Sequence, residues 1–334
     1  MTRLTALTFA MSALALPAFA AEVNVYSTRQ PELVEPLFDA FTEETGIEVN
    51  TVFLSKGLVE RLKAEGRRSP ADLVFTTDIS RLAEVVAADL TQPVLSESMS
   101  EHVPAALHDP DGRWWGLTVR ARVIYASKDR VEDQPGLTYE SLTDPKWEGR
   151  ICTRSGTNAY NVALTSAMIH HHGEEGAKAW LDGVKANLAR KPQGNDRAQV
   201  KAIWAGECDI SIGNTYYMGL MLKDEEQKAW ADSVRILFPE FEDGGTHVNV
   251  SGVAMTKAAP NKENALKLME FAASPRGQEI YGEINNEYPI APGSTPSELV
   301  QSWGPLNADD VNLMNLAELR PTALRITEEI DFDG

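Results

Sequence analysis

The chain has 334 residues, of which 43% are hydrophobic and 24% are charged. This length corresponds to about two domains of ordinary size, and the composition excludes a disordered or fibrous protein. The 31 basic residues are outnumbered by 49 acidic residues, which gives a formal net charge of −18. Because nucleic acids and anionic membranes repel such a surface, we expect neither as a general partner.

Residues 1–20 have the pattern of a secretory signal peptide. The segment contains one positive charge at Arg3, then an apolar run, and it ends in the small-x-small sequence AFA. A membrane anchor is the alternative, but the apolar run is shorter than the ~20 residues that a spanning helix needs. We predict cleavage after Ala20, export to a bacterial periplasm, and a mature chain with 30 basic and 49 acidic residues. No later stretch of the sequence is apolar enough to predict membrane insertion.

The first part of the mature chain alternates between strand and helix patterns. Short apolar or alternating runs predict strands at residues 22–27, 48–54 and 72–76. Amphipathic patterns predict helices from Pro31, at residues 57–65 and at about residues 80–89. This alternation is typical of a parallel sheet that is covered by helices.

A similar alternation occurs further along the chain. Strands are predicted at residues 122–127, 150–154, 209–213 and 234–238, and helices at residues 161–171, 175–188, 197–205, 261–274 and 276–285. Two longer extended segments, at 115–127 and 246–256, could cross between two lobes.

We therefore predict an α/β fold of two lobes, each a mixed, mostly parallel sheet flanked by helices. The predicted N-terminal lobe comprises residues 21–119 and about 252–295, and the C-terminal lobe comprises residues 120–251 and about 296–334. A ligand would bind in the cleft between the lobes.

Two adjacent tyrosines follow the predicted strand at residues 209–213. Tyr216 and Tyr217 end the segment GNTYY, and the carboxyl end of a strand is where open α/β sheets place ligands. A loop there would offer two phenol oxygens to one point, whereas the alternative is one core ring and one exposed ring. Tyr160, in the polar turn SGTNAYN before a helix, is a third candidate. Packing of its ring against that helix is the alternative.

Arginines near strand ends indicate an anion site. Arg29 lies between the first strand and its helix, where backbone N–H groups favour an anion. Arg120 and Arg122 alternate along an extended segment and so share one face. Pairing with surface carboxylates is the alternative for all three side chains.

The histidines and cysteines predict no metal site. Three consecutive histidines at 170–172 would diverge by ~100° each on a helix, so we expect a solvated helix end there. Cys152 and Cys208 lie on strand-like segments 56 residues apart in the chain. In an oxidising compartment they could form a disulfide, and two buried thiols are the alternative.

Together these features resemble the periplasmic ferric-iron-binding proteins of bacterial ABC importers. The similarity covers essentially the whole mature chain and implies the two-lobed fold of periplasmic binding proteins. It is carried by the segments VYSTRQPELVEPLFDAFTEETGIEV, SPADLVFTTDISRL, WGLTVRARVIYASKDR, RSGTNAYNVAL, ARKPQGNDRAQVKAIWAGECDISIGNTYYMG and THVNVSGVAM.

The resemblance implies three metal ligands, the phenolates of Tyr160, Tyr216 and Tyr217. Fe³⁺ is a hard cation that prefers oxygen donors, and three phenolates cancel its three charges. Some members of the family have a histidine, or a histidine followed by a tyrosine, after the first strand, where this chain has Gln30 and Pro31.

A second departure concerns a glutamate ligand that some members carry after a later strand. This chain has Thr77 at that position. The chain is therefore similar to a subgroup in which carbonate or a similar synergistic anion completes the metal site. By that resemblance Arg29, Gln30 and Arg120 would hold the anion.

The implied function is capture of Fe³⁺ and its delivery to an inner-membrane ABC permease and its ATPase. The resemblance implies a monomer that is not an enzyme. An alternative is a protein of the same fold that binds a small organic solute. A secreted metal-dependent hydrolase is the third hypothesis, but the sequence contains no HExxH and no GxSxG motif.

Overall fold

The computed structural model describes residues 21–334, so the predicted signal peptide lies outside the described residues. Among the helices of residues 21–334, none combines the length and apolar character needed to cross a bilayer. Within residues 21–334, nine strands form a single mixed sheet. They are β1 (Glu22–Ser27), β2 (Glu48–Phe53), β3 (Leu73–Thr76), β4 (Trp115–Ser127), β5 (Ile151–Cys152), β6 (Ile210–Asn214), β7 (Val234–Leu237), β8 (Val248–Met255) and β9 (Tyr288–Pro289).

Helices cover the sheet, as the alternating pattern predicts. They are α1 (Glu35–Thr45), α2 (Leu58–Glu65), α3 (Ile79–Ala87), α4 (Glu97–His102), α5 (Ala159–Ala186), α6 (Asp196–Trp204), α7 (Tyr216–Leu222), α8 (Lys228–Asp232), α9 (Lys262–Ala273), α10 (Pro275–Asn285), α11 (Glu298–Gln301), α12 (Leu313–Glu318) and α13 (Arg320–Glu329). The C-terminal helix α13 packs against α5, whereas α12 contacts both α3 and α5.

The sheet has two parts, and β4 belongs to both. The strand order is β2-β1-β3-β8-β4-β6-β5, with β7 and β9 also paired to β4. The first half of β4 pairs with β8 as far as Ala121, and its second half pairs with β6 from Arg122 onwards. All thirteen residues of β4 are buried, because the strand lies in the middle of both parts.

The predicted α/β class with a mixed, helix-flanked sheet is confirmed. Pairing is parallel between β1 and its neighbours β2 and β3, and between β5 and β6. Every pair that involves β4 or β8 is antiparallel. The sheet thus contains fewer parallel pairs than the strand–helix alternation indicates, because the strands that join the two parts are antiparallel to their neighbours.

The second connection between the two parts is shorter than the predicted segment 246–256. Strand β8 begins at Val248 and pairs with β3 and with the first half of β4. Immediately before it, the carbonyl oxygen of His247 accepts a hydrogen bond of 2.9 Å from the backbone N–H of Arg122. Val248 itself pairs with Ala121, so residues 247 and 248 lie beside the junction of the two halves of β4.

Helix α5 replaces two predicted helices. The sequence pattern predicts a break between residues 171 and 175, and Gly173 lies there with a φ of 69° inside the otherwise continuous helix. This left-handed conformation is one that glycine adopts without steric cost. The break lets the two halves of α5 follow different directions.

A disulfide joins Cys152 on β5 to Cys208, two residues before β6. The two Cα atoms are 5.9 Å apart, and both residues are buried. In the structure the cysteines are thus cross-linked and are not two buried thiols. The bridge fastens β5 to the strand that leads into Tyr216.

Candidate metal centre

Tyr160, Tyr216 and Tyr217 lie in the first turns of two helices. Tyr216 and Tyr217 begin α7 directly after β6, and Tyr160 is the second residue of α5, where the Asn158 side chain accepts its backbone N–H. The hydroxyl oxygens of Tyr160 and Tyr216 are 3.2 Å apart, and the ring centroids of Tyr216 and Tyr217 are 4.2 Å apart. The structure brings the three predicted residues together.

The adjacent tyrosines are in a helix, whereas the sequence indicated a loop. Thr215 already has helical dihedral angles (φ −49°, ψ −46°), so α7 starts where β6 ends. Successive side chains diverge by ~100° in an α-helix but point to opposite faces in a strand. Both rings are therefore half-buried, and the alternative of one core ring and one exposed ring is wrong.

Hydrogen bonds to β4 fix the segment that precedes the two tyrosines. Thr215 donates its N–H to the Ala121 carbonyl oxygen (3.1 Å), and Ala121 donates its N–H to Thr215 Oγ1 (3.2 Å). Asn214 Oδ1 accepts from Arg122 Nη1 (3.1 Å), and the Tyr125 hydroxyl donates to the Asn214 carbonyl oxygen (2.5 Å). The strand shared by both parts of the sheet thus holds the start of α7.

A buried ionic cluster lies behind Tyr160. Asp196 pairs with Arg122 (Oδ1 to Nη1, 2.5 Å) and with Arg154 (Oδ2 to Nη1, 2.5 Å). The guanidinium carbons of Arg154 and Arg122 lie 5.2 and 5.8 Å from the centroid of the Tyr160 ring. One carboxylate and two guanidiniums leave a formal charge of +1 beside the Tyr160 ring.

Tyr216 and Tyr217 are poor acids while no cation is bound. Burial, followed by the neighbouring Tyr160 and Tyr217, raises the pKa of Tyr216 well above its ordinary value. Burial, followed by Tyr160 and Asp196, raises the pKa of Tyr217 to about 12. At neutral pH both groups are therefore protonated, and a metal ion that binds them has to displace their protons.

Residues that follow β1 and β3 complete the same cavity, which has a volume of about 420 Å³. Arg29 Nη2 donates to Ser251 Oγ (2.7 Å) and to Glu287 Oε1 (2.8 Å). Arg120 Nη1 donates to Ser251 Oγ (3.3 Å), and its Nη2 donates to the Thr77 carbonyl oxygen. Both predicted anion-binding arginines thus lie in the cavity with the tyrosines, already held by protein groups.

Gln30 lies at the exposed rim of this cavity. Its side chain is exposed to solvent, and Gln30 directly precedes the short turn that leads into α1. The three residues that the resemblance implies for an anion therefore share one cavity wall, but only Arg29 and Arg120 are buried.

Sequence reasoning missed the carboxylate of this wall. Glu287 is buried between Arg29 and Arg120, and its Oε2 accepts from Thr118 Oγ1 (2.5 Å) and Ser251 Oγ (2.8 Å). Burial alone would raise the pKa of Glu287, but the charges of Arg29 and then Arg120 outweigh burial and lower this pKa. No motif identifies Glu287, because its partner Arg29 is 258 residues away in the chain.

Two further arginines of the cavity were also missed. Arg81 on α3 and Arg197 on α6 line it together with the three tyrosines. Arg81 Nε is 3.7 Å from Asp78 Oδ2, whereas the buried Nε of Arg197 has no hydrogen-bond partner within residues 21–334. The two residues are 116 positions apart in the chain and lie in two different helices, so the sequence alone shows no pattern that links them.

The consecutive histidines only partly match the predicted solvated helix end. His170 is exposed, but the His171 ring is buried, stacks on Phe241 (centroids 4.1 Å apart) and lies 2.9 Å from Asp309 Oδ2. The prediction is wrong for His171 because α5 continues past it and packs against other segments. Within the part of the chain that the structure describes, no group of three or more His, Cys, Asp or Glu side chains is arranged to hold a metal.

Known proteins share this architecture. The family model of the bacterial extracellular solute-binding proteins matches residues 51–303. Iron uptake protein A1 from Synechocystis is 43% identical, over 94% of this chain and 88% of that protein.

Two solved structures are similar over nearly their whole length. Ferric iron-binding protein A from Mannheimia haemolytica, in an open conformation, has a TM-score of 0.91 and 52% identity, and covers 94% of this chain and 100% of its own. A Trichodesmium protein in complex with iron and citrate ligands has a TM-score of 0.89 and 39% identity, and covers 93% and 100%. The chain therefore belongs to the bacterial extracellular solute-binding protein family, and the resemblance to ferric-iron-binding proteins that the sequence indicates is confirmed.

Proposed function

We propose that this protein captures Fe³⁺ through the phenolates of Tyr160, Tyr216 and Tyr217, with an anion such as carbonate as an additional ligand. The convergence of three phenol side chains on one cavity supports this proposal, because phenolate oxygens are hard donors suited to a hard trivalent cation. The relatives named for iron uptake and ferric iron binding support the same cargo.

The anion would bind between the tyrosines and the opposite wall of the cavity. Arg120 belongs to that wall. The negative charge of Glu287 in the same wall is shared between Arg29 and Arg120. The Trichodesmium relative solved with iron and citrate supports an anion beside the metal. Carbonate would accept forked hydrogen bonds from a guanidinium, a geometry that arginine favours.

The protein would act in the periplasm as a monomer that delivers iron to an ABC permease and its ATPase, without catalysing a reaction. Closure of lobes made of residues 21–119 with about 252–295, and 120–251 with about 296–334, would enclose the ion. A permease could then distinguish the closed form from the open form.

Visible absorption of the purified protein with Fe³⁺ tests the proposal, because phenolate bound to Fe³⁺ absorbs visible light and an organic solute does not. We expect colour in the wild type, and an iron affinity at least about tenfold lower in Tyr160→Phe, Tyr216→Phe and Tyr217→Phe. The matched control is Tyr288→Phe, since Tyr288 is buried on β9 and lines a different cavity. A colourless wild type, or equal colour in all four variants, would overturn the proposal.

The raised pKa values of Tyr216 and Tyr217 add a pH test. Because a proton leaves each phenol when iron binds, iron affinity should fall as the pH falls at fixed bicarbonate. Removal of bicarbonate should weaken binding in the wild type, and Arg120→Ala should reduce this anion dependence. Iron retention that does not change between neutral and acidic pH would contradict phenolate ligation.

A further inference from the structure

The helix that begins with Tyr216 and Tyr217 contacts the end of α10 through a glycine. Helix α7 follows β6, which pairs with the second half of β4, whereas α10 leads into β9, which pairs with the first half. A Cβ atom added at Gly219 would lie 2.5 Å from Oδ1 and 2.8 Å from Nδ2 of Asn286, and closer still to its Cγ. Elements attached to the two parts of the sheet therefore meet here, at a distance that leaves no room for a side chain at Gly219.

Asn286 forms the other side of this contact. It is 2% exposed and ends α10 in the left-handed conformation (φ 53°, ψ 45°), which asparagine adopts more readily than most residues. Its Nδ2 is buried without a hydrogen-bond partner among residues 21–334. Because an unpaired buried amide is unfavourable, hydrogen bonding by Nδ2 does not explain the position of this side chain. Its packing against Gly219 is then its contribution to the structure.

Each of the two residues in contact is next to a residue that lines the cavity of the three tyrosines. Leu220 follows Gly219, and Glu287 follows Asn286, and both of these neighbours line the cavity. Gly219 also lies one turn after Tyr216 on the same helix. Because an α-helix is stiff over a single turn, a shift of α7 against the end of α10 moves the phenol oxygens relative to the Glu287 carboxylate.

The wall of the cavity that contains the proposed anion-binding arginines is assembled around Glu287. Its Oε1 is 2.8 Å from Arg29 Nη2. Ser251 Oγ donates to Glu287 Oε2 (2.8 Å) and accepts from Arg120 Nη1 (3.3 Å). An anion that contacts both the metal and this wall has a fixed span, and binding groups have to be held within roughly 0.5 Å of their productive positions. The separation of α7 from this wall therefore matters for binding.

We propose that Gly219 and Asn286 are positioning residues for metal binding, because their contact sets the distance between the tyrosine ligands on α7 and the wall around Glu287. This inference rests on the proposed function and deepens it. The two residues act through their neighbours in the chain and not as ligands. The glycine permits the close approach, and the asparagine side chain limits it.

The test is a titration of the iron-free full chain with Fe³⁺, with and without bicarbonate, followed by visible absorption. Gly219→Ala places a methyl group against Asn286 and should lower the Fe³⁺ affinity with bicarbonate at least about tenfold, as expected when a group that orients a ligand is displaced. The loss without bicarbonate should be smaller, because the displacement separates the metal ligands from the anion wall.

A second substitution tests whether the contact itself causes the loss. Asn286→Gly removes the side chain, and glycine adopts the left-handed conformation without steric cost, so the backbone can stay as it is. The double variant Gly219→Ala/Asn286→Gly should therefore recover an Fe³⁺ affinity within about threefold of the wild type, since the effects of residues in contact are not additive.

The matched control is Gly183→Ala. Gly183 is on α5, and a Cβ atom there would lie 2.7 Å from Cβ of Thr143, a residue that does not line the cavity. This crowding should lower the midpoint of thermal unfolding and leave the Fe³⁺ affinity unchanged. Thermal unfolding of every variant confirms that the fold is intact before affinities are compared.

Equal Fe³⁺ affinity in Gly219→Ala and the wild type would overturn the inference. Failure of Asn286→Gly to restore the affinity of Gly219→Ala would overturn it as well, and so would an equal loss of affinity in Gly183→Ala. A wild type that develops no colour with Fe³⁺ would refute the proposed function itself, a result that is distinct from these three.

Discussion

Removal of the disulfide should lower the free energy of unfolding by about 4 kcal/mol. The bridge joins Cys152 and Cys208 across a sequence separation of 56. The chain-entropy relation for a loop of this length gives roughly 14 cal/mol/K, or about 4 kcal/mol at 25 °C, because the cross-link restricts the unfolded chain. The double variant C152A/C208A removes the bridge and leaves no free thiol.

Urea unfolding, followed by the fluorescence of the seven tryptophans, measures this loss. Reductant should shift the wild-type unfolding midpoint to that of C152A/C208A. It should leave the midpoint of the double variant unchanged, because that variant has no disulfide to reduce, and this result serves as the control. If the double variant were within about 1 kcal/mol of the oxidised wild type, the loop-closure argument would be refuted. The native contacts between β5 and β6 would then carry the stability by themselves.

Two further predictions concern buried charge. Glu287→Gln leaves the buried Arg29 without its carboxylate and should lower the free energy of unfolding by about 3–5 kcal/mol in urea. Glu283→Gln, at an exposed position on α10 four residues before Glu287, should change it by less than about 0.5 kcal/mol, and equal losses would contradict the assignment. Burial, followed by the charge of Arg122, lowers the pKa of His247 to about 3. Because unfolded histidine titrates near pH ~6.5, stability should fall by about 1.4 kcal/mol per pH unit as the pH drops from ~6.5 towards ~3. His247→Gln should flatten this slope in unfolding titrations between pH 6 and 4, and an unchanged slope would show that other groups cause it.

Most of the regular structure could be predicted because it rests on local periodicity. Alternating apolar residues indicated β1 and the long extended segment that became β4, and the glycine-containing gap near Gly173 indicated a break in the helical pattern. The adjacent pair Tyr216 and Tyr217 could be singled out because it follows a strand end. The helix α4 was missed, since its sequence ESMSEH has little apolar periodicity.

The polar partners of the site could not be predicted, because they come together only through tertiary structure. Glu287 is 258 residues from Arg29, and Asp196 is 74 residues from Arg122. The exposure of Gln30 also depends on how the first turn after β1 meets the rest of the cavity. The sequence therefore indicated which side chains could bind, but not which of them the protein already engages.

The position of the β4 junction limits how far the site can be distorted by motion of one part of the sheet against the other. Ala121 pairs with β8 and also holds Thr215, while the next residue, Arg122, begins the pairing with β6. A rotation about this junction displaces an atom in proportion to its distance from it. Large movements at the outer edges of the sheet are therefore compatible with small displacements where Arg120 and Tyr216 approach the cavity, so the binding geometry and the outer shape can change by very different amounts.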